Sequence, residues 1–153
     1  MEHPQIKAIS FTGGTQTGAH IARTTAGQFK KLSLELGGKN PALIFADCDF
    51  DAALRTTVRS SFANQGQICL CSSRILIEES IYPAFRDALV AKTKRIVPGD
   101  PNDAATKMGA VVSASHRDKV LGYIQSAREQ GATVLCGGEV PPAPTERCAN
   151  GFF

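Results

Sequence analysis

Apolar positions along the chain alternate between a period of two and a period near 3.6, so strands and helices follow one another. Ile6 to Phe11, with Ile6, Ala8 and Ile9 apolar, predicts a short strand that runs into Thr12-Gly13-Gly14-Thr15-Gln16-Thr17-Gly18. A helix is expected from about Gln16 to Ala26, with Gly27 as its stop. Lys31-Leu32-Ser33-Leu34-Glu35 alternates polar and apolar like a half-buried strand, and Gly37-Gly38 breaks it. Pro41 to Phe45 is a short apolar run suited to a buried strand. Asp47 and Asp49 are candidate N-caps for a helix whose apolar face is Phe50, Ala53, Leu54, Val58 and Phe62. That helix should end near Asn64-Gln65-Gly66.

Beyond it, Arg74 to Glu78 reads as a strand. Ile81, Phe85, Ala88, Leu89 and Ile96 mark a long amphipathic helix, with Pro83 tolerated in its first turn. Val97 to Asn102 is a turn-rich loop. Ser115-x-x-Asp118 resembles a capping box. The helix it would open has Val120, Tyr123, Ile124 and Ala127 at helical spacing and Gly131 just past its end. Thr133 to Leu135 is a last predicted strand, and Pro141 to Pro144 a surface loop. This order implies an α/β fold with parallel pairing. The chain starts almost on a strand and stops at Gly151-Phe152-Phe153, where an apolar run is beginning, so both ends read as cut.

Composition narrows the field. The 153 residues are the length of one ordinary domain, and 42% hydrophobic with 20% charged residues suits a folded chain. A net charge of +3 is too small to argue for nucleic acid. The basic cluster Lys92, Lys94 and Arg95 falls late in a predicted helix, where it faces solvent and complements the helix dipole. No apolar run approaches the ~20 residues that span a bilayer, and Met1 to Gln5 has no secretory character, so no membrane partner is expected. The odd count of five cysteines points to reduced thiols and a cytoplasmic location. Without a Cys-x-x-Cys pair, and with the histidines remote from the cysteines, no metal site is expected.

Three segments carry candidate chemistry. Gly13-x-x-x-x-Gly18, between a predicted strand and a predicted helix, suits a phosphate held on helix N-terminal amides. It is not Gly-x-Gly-x-x-Gly, and no acidic residue follows about 20 positions on, so taken alone it reads better as an ordinary glycine-rich strand-to-helix turn. Cys69 follows Gly66-Gln67-Ile68, a setting for an activated thiol at helix amides or beside a cation. The plain alternative is a buried structural cysteine. That alternative suits Cys48, Cys136 and Cys148 better, and Cys71 reads as a neighbouring thiol. Glu35, before the two glycines, is a general base, a surface carboxylate or a partner of Lys39.

Glu35-Leu36-Gly37-Gly38-Lys39 and, 34 positions on, Gly66-Gln67-Ile68-Cys69 closely resemble the two active-site signatures of the aldehyde dehydrogenase superfamily. Phe11-Thr12-Gly13-Gly14-Thr15-x-x-Gly18 resembles its dinucleotide-contacting turn, although serine is frequent in the family where Gly14 stands here. The resemblance runs from about Ile6 to Phe153. It implies an incomplete piece of that α/β fold. Residues 1–36 would end a Rossmann-type cofactor domain, and 37–153 would open the catalytic domain.

The resemblance further implies that Cys69 is the nucleophile and Glu35 the base. Thr12, Gly13, Gly14, Gly18 and Leu36 would contact NAD, with NADP the other option. The implied substrate is an aldehyde or semialdehyde, oxidised to an acid through a thiohemiacetal and a thioester. Ser61 to Cys71 looks most like the branch that oxidises 2-aminomuconic semialdehyde and related semialdehydes. Complete family members are expected to be homo-oligomers. The family's upstream oxyanion asparagine has no counterpart, since neither Asn40 nor Asn64 matches its motif. Losing one such donor typically costs about 10²–10³ in turnover, so the isolated chain is expected to be inactive or nearly so. Two rivals stand beside this reading. A thiol acyltransferase or cysteine peptidase would need a histidine, and His3, His20 and His116 have no supporting context. A non-catalytic truncated product would misfold or dock onto full-length subunits.

Overall fold

In the computed structural model, residues 1–152 are described, and Phe153, the end of the final apolar run, lies outside them. Four strands and four helices follow one another. They are β1 (Ala8–Gly13), α1 (Thr15–Thr25), β2 (Lys31–Leu36), β3 (Asn40–Ile44), α2 (Phe50–Phe62), β4 (Ser72–Ile77), α3 (Tyr82–Thr93) and α4 (Ala114–Glu129). The strands form two separate parallel pairs, β1 with β2 and β3 with β4. Each pair needs a crossover helix, which α1 and α2 supply.

Local chemistry sets most boundaries. The Asp49 side chain accepts the Ala52 N–H at 2.9 Å and caps α2, so Asp49 rather than Asp47 starts that helix. Pro83 sits in the first turn of α3, where its missing N–H costs nothing. Gly131, with φ +90°, follows the end of α4. α2 packs on both β4 and α3. Leu54 from α2 and Phe85 from α3 are buried, and Phe50 meets Phe85 edge to face at 5.3 Å. On the other sheet, Ile21 and Thr25 of α1 are buried.

Three expectations change. The cap of α4 is Ser113, whose hydroxyl accepts the His116 N–H at 3.1 Å, and not Ser115. Thr133 to Leu135 forms no strand, because a strand needs a partner and neither sheet reaches it. The stripe of Val120, Tyr123, Ile124 and Ala127 is not core: α4 has no buried residue, and Tyr123 is 67% exposed.

Candidate active site

The segment between α2 and β4 carries Cys69. A 3-10 turn over Ala63–Gly66 places Asn64, Gln65 and Gly66 successively in the left-handed region, at φ 50°, 55° and 72°. Such a conformation is unfavourable for two non-glycine residues in a row, so tertiary contacts must hold it. Three sets do. Gln65 Nε2 donates to the Gly109 carbonyl at 3.0 Å. Ser60 and Ser61, at the end of α2, bond the Ser72 hydroxyl and carbonyl at 2.7 and 3.0 Å. Asn40 Nδ2 donates to the carbonyls of Cys69 and Cys71, at 2.7 and 3.2 Å. A tight turn, closed by the Cys71 N–H on the Ile68 carbonyl at 2.9 Å, then presents Cys69. Cys71 is buried and Cys69 exposed. The expected helix N-terminus is absent here: Cys69 stands on a turn that leads into a strand.

The carboxylate and the glycine turn lie together for a simpler reason. In the parallel register of β1 and β2, Thr12 pairs with Glu35 and Gly13 with Leu36, so both strands end at one edge. Carboxyl ends of parallel strands are where such sheets place ligands. Gly14 is the N-cap of α1, offers no capping side chain, and has open space where a Cβ would stand. Glu35 is exposed near the end of β2. Its pairing with Lys39 is not formed among the described residues.

One open cleft of about 1210 Å³ joins these segments. Thr12, Gly13, Gly14, Glu35 and Leu36 line one part of it, and Gln65 to Cys69 another. Gly18 does not line it. It is buried in α1, where an added Cβ would lie 2.7 Å from the Leu36 side chain, so its visible role is helix-to-strand packing. The cleft also takes His116, Lys119 and Tyr123 from one face of α4. Their spacing of three and four was legible, but the apolar residues among them pointed to a core face rather than a cleft wall.

A parallel α/β chain with a glycine turn, a carboxylate and a thiol on one cleft belongs with dinucleotide-dependent folds in architecture. The match is specific: residues 1–153 fit the aldehyde dehydrogenase family, and this chain belongs to it. It is 53% identical over 154 residues to a 2-aminomuconic semialdehyde dehydrogenase of Danio rerio, covering 100% of this chain and 32% of that protein. A 2-aminomuconic 6-semialdehyde dehydrogenase of Pseudomonas sp is 48% identical, covering 95% and 30%. Betaine aldehyde dehydrogenase from Staphylococcus aureus, solved with NAD+, superposes with a TM-score of 0.90 at 39% identity, covering 99% and 30%. The chain thus spans about a third of the length of the relatives it matches. Among the described residues no helix is long and apolar enough to cross a membrane.

Proposed function

We propose that this chain carries the nucleophile, the base and part of the dinucleotide site of an aldehyde dehydrogenase. The observation that supports it is the single cleft that holds both Cys69 and Glu35, residues 34 positions apart, beside the Thr12-Gly13-Gly14 turn. In this reading residues 1–36 close a cofactor-binding unit and 37–153 open a catalytic one. The separate sheets on either side of Gly37 to Lys39 support that division.

The residues present fit a dinucleotide. The first turn of α1 has no capping side chain, and Gly14 leaves room for a phosphate to approach the backbone. Thr12, Gly13, Gly14 and Leu36 would hold it, and Gly18 would act indirectly by seating α1 on β2. NAD is favoured over NADP by the solved relative's ligand. When bound, the nicotinamide supplies a hydride acceptor.

The chain's own groups do the rest. Cys69 Sγ, as thiolate, forms a bond to the aldehyde carbon, and the carbonyl oxygen takes the negative charge. The Cys69 backbone N–H is one donor to that oxygen. As the carbonyl reforms, the carbon gives up its hydride and a thioester to Cys69 remains. Glu35 removes a proton from water, whose oxygen attacks the thioester carbon. The C–S bond breaks, the acid departs, and Cys69 returns as thiolate. The names of the relatives favour 2-aminomuconic or related semialdehydes as substrate.

Turnover by the chain alone is expected to be very low, because Cys69 and Glu35 both stand exposed to water. The test is therefore chemical. With NAD and a semialdehyde, Glu35→Gln should accumulate an acyl adduct on Cys69, seen by peptide mass spectrometry, and Cys69→Ser should give none. An adduct confined to other cysteines would refute the assignment. A second reading is favoured by the number of exposed apolar side chains: a non-catalytic chain that associates with full-length subunits. Size exclusion with and without a full-length relative separates the two.

A further inference from the structure

We infer that Asn40 is a positioning residue for the Cys69 turn, fixing the nucleophile's backbone to the segment that carries Glu35. The inference rests on the reading of Cys69 and Glu35 given above. It starts from Pro41, which has no N–H to give the ladder. The β3–β4 register breaks there: Asn40 pairs with Ser72 but Pro41 with Arg74, so Ser73 is skipped as a bulge. Side chains take over the missing cross-links. Arg74 Nε and Nη2 reach back to the Lys39 carbonyl at 3.2 and 2.8 Å. Asn40 Nδ2 reaches forward to the Cys69 and Cys71 carbonyls.

An amide nitrogen has two hydrogens, and here each finds a carbonyl. The two acceptors belong to the Cys69–Leu70 and Cys71–Ser72 peptides, so one side chain holds the peptide planes that bracket the Leu70–Cys71 link. Apart from its own closing bond, from the Cys71 N–H to the Ile68 carbonyl, the turn has little burial to hold it. Ile68 is 43% and Leu70 77% exposed, and Cys71 alone is buried. Asn40 is also joined to Glu35 by five positions of main chain through Gly37-Gly38-Lys39. Two glycines make that link pliant, so a clamp from Asn40 to the thiol turn is what keeps nucleophile and base in a fixed relation. Aspartate has the same shape but, ionised, has no hydrogen to donate, and alanine has neither shape nor donor. Serine keeps one donor.

The experiment is iodoacetamide alkylation of the full chain as a function of pH, read residue by residue by mass spectrometry. Cys48 and Cys136, both partly exposed and outside the cleft, are internal controls. The titratable groups that share the cleft with Cys69 are Glu35, Lys39, His116, Lys119 and Tyr123, and every variant keeps them. Asn40→Asp, which also places a carboxylate beside the turn, should slow Cys69 alkylation about threefold near neutrality. Asn40→Ala should slow Cys69 similarly, Asn40→Ser should recover part of the loss, and Cys48 and Cys136 should not change. Superimposable Cys69 profiles for wild type, Asp and Ala would overturn the inference. Should the Ala variant unfold, Asn40→Ser decides by the same comparison, because it adds no charge of its own. The two proposals fail separately. If Asn40 is irrelevant, the Glu35→Gln acyl adduct still forms at Cys69. If Cys69 is not the nucleophile, that adduct is missing while the Asn40 variants still shift alkylation.

Discussion

Cys69 and Cys71 are the same residue type two positions apart, yet one is exposed in the cleft and the other buried. The turn between them separates their surroundings, and sequence spacing alone could not say which thiol would face out. A second residue-level contrast is Asp100. Its side chain is 9% exposed and accepts from Arg147 Nη2 at 2.7 Å, from Thr145 at 3.1 Å and from the Asn102 N–H at 2.9 Å. The Arg147 guanidinium first, and the Asn102 N–H next, hold its carboxyl well below the usual carboxylate range. A depressed folded value adds stability above the unfolded value of about 3.9, and that stability is lost as pH falls through the folded value. Asp100→Asn should therefore be less stable than wild type at neutral pH, and the gap should close as pH drops below about 4. Urea melts across pH check this, and a gap that widens in acid would contradict it.

At the scale of elements, patterns of apolar residues placed β1 to β4 and α1 to α3 within a few residues, because each has one face against a neighbour. The cap of α4 was misplaced because Ser113 and Ser115 offer the same hydroxyl and only backbone geometry separates them. Ser113, extended at φ −161°, accepts the His116 N–H. Ser113→Ala should cost about 1 kcal/mol and Ser115→Ala much less, measured by urea unfolding. The α2–α3 contact sets a larger cost. Phe85 is fully buried against Phe50, so Phe85→Ala should lose about 3–5 kcal/mol in the same assay. A loss under about 1 kcal/mol would mean that this contact is not the core of the second sheet.

The whole molecule exposes more than its mass explains. Its accessible surface is 10849 Å², against about 7,500 Å² for a compact monomer of 16.2 kDa. Leu43 and Phe45 are each 60% exposed and Leu76 52%, with Leu43 and Leu76 paired across β3 and β4. Contiguous apolar surface of this kind drives association. The chain should bind a hydrophobic dye and sediment as concentration-dependent assemblies. The double variant Leu43→Lys, Leu76→Lys should lower both signals, and analytical ultracentrifugation with unchanged assemblies would show that another surface is responsible.

Residues two or 3.6 apart share a face whatever lies beyond them, so sequence determined by itself the alternation of strands and helices, the parallel pairing and the family signatures around Glu35 and Cys69. Tertiary structure alone decided which apolar stripe became core and which became cleft. It did so for α4, whose Val120–Ala127 face meets the cleft, and for Thr133 to Leu135, which found no partner strand. It also brought Asn40 across to the thiol turn, since a contact over 29 positions depends on how β3 and β4 pair and on the bulge that Pro41 forces. Burial and long-range bonds are properties of the packed chain, and no local period encodes them.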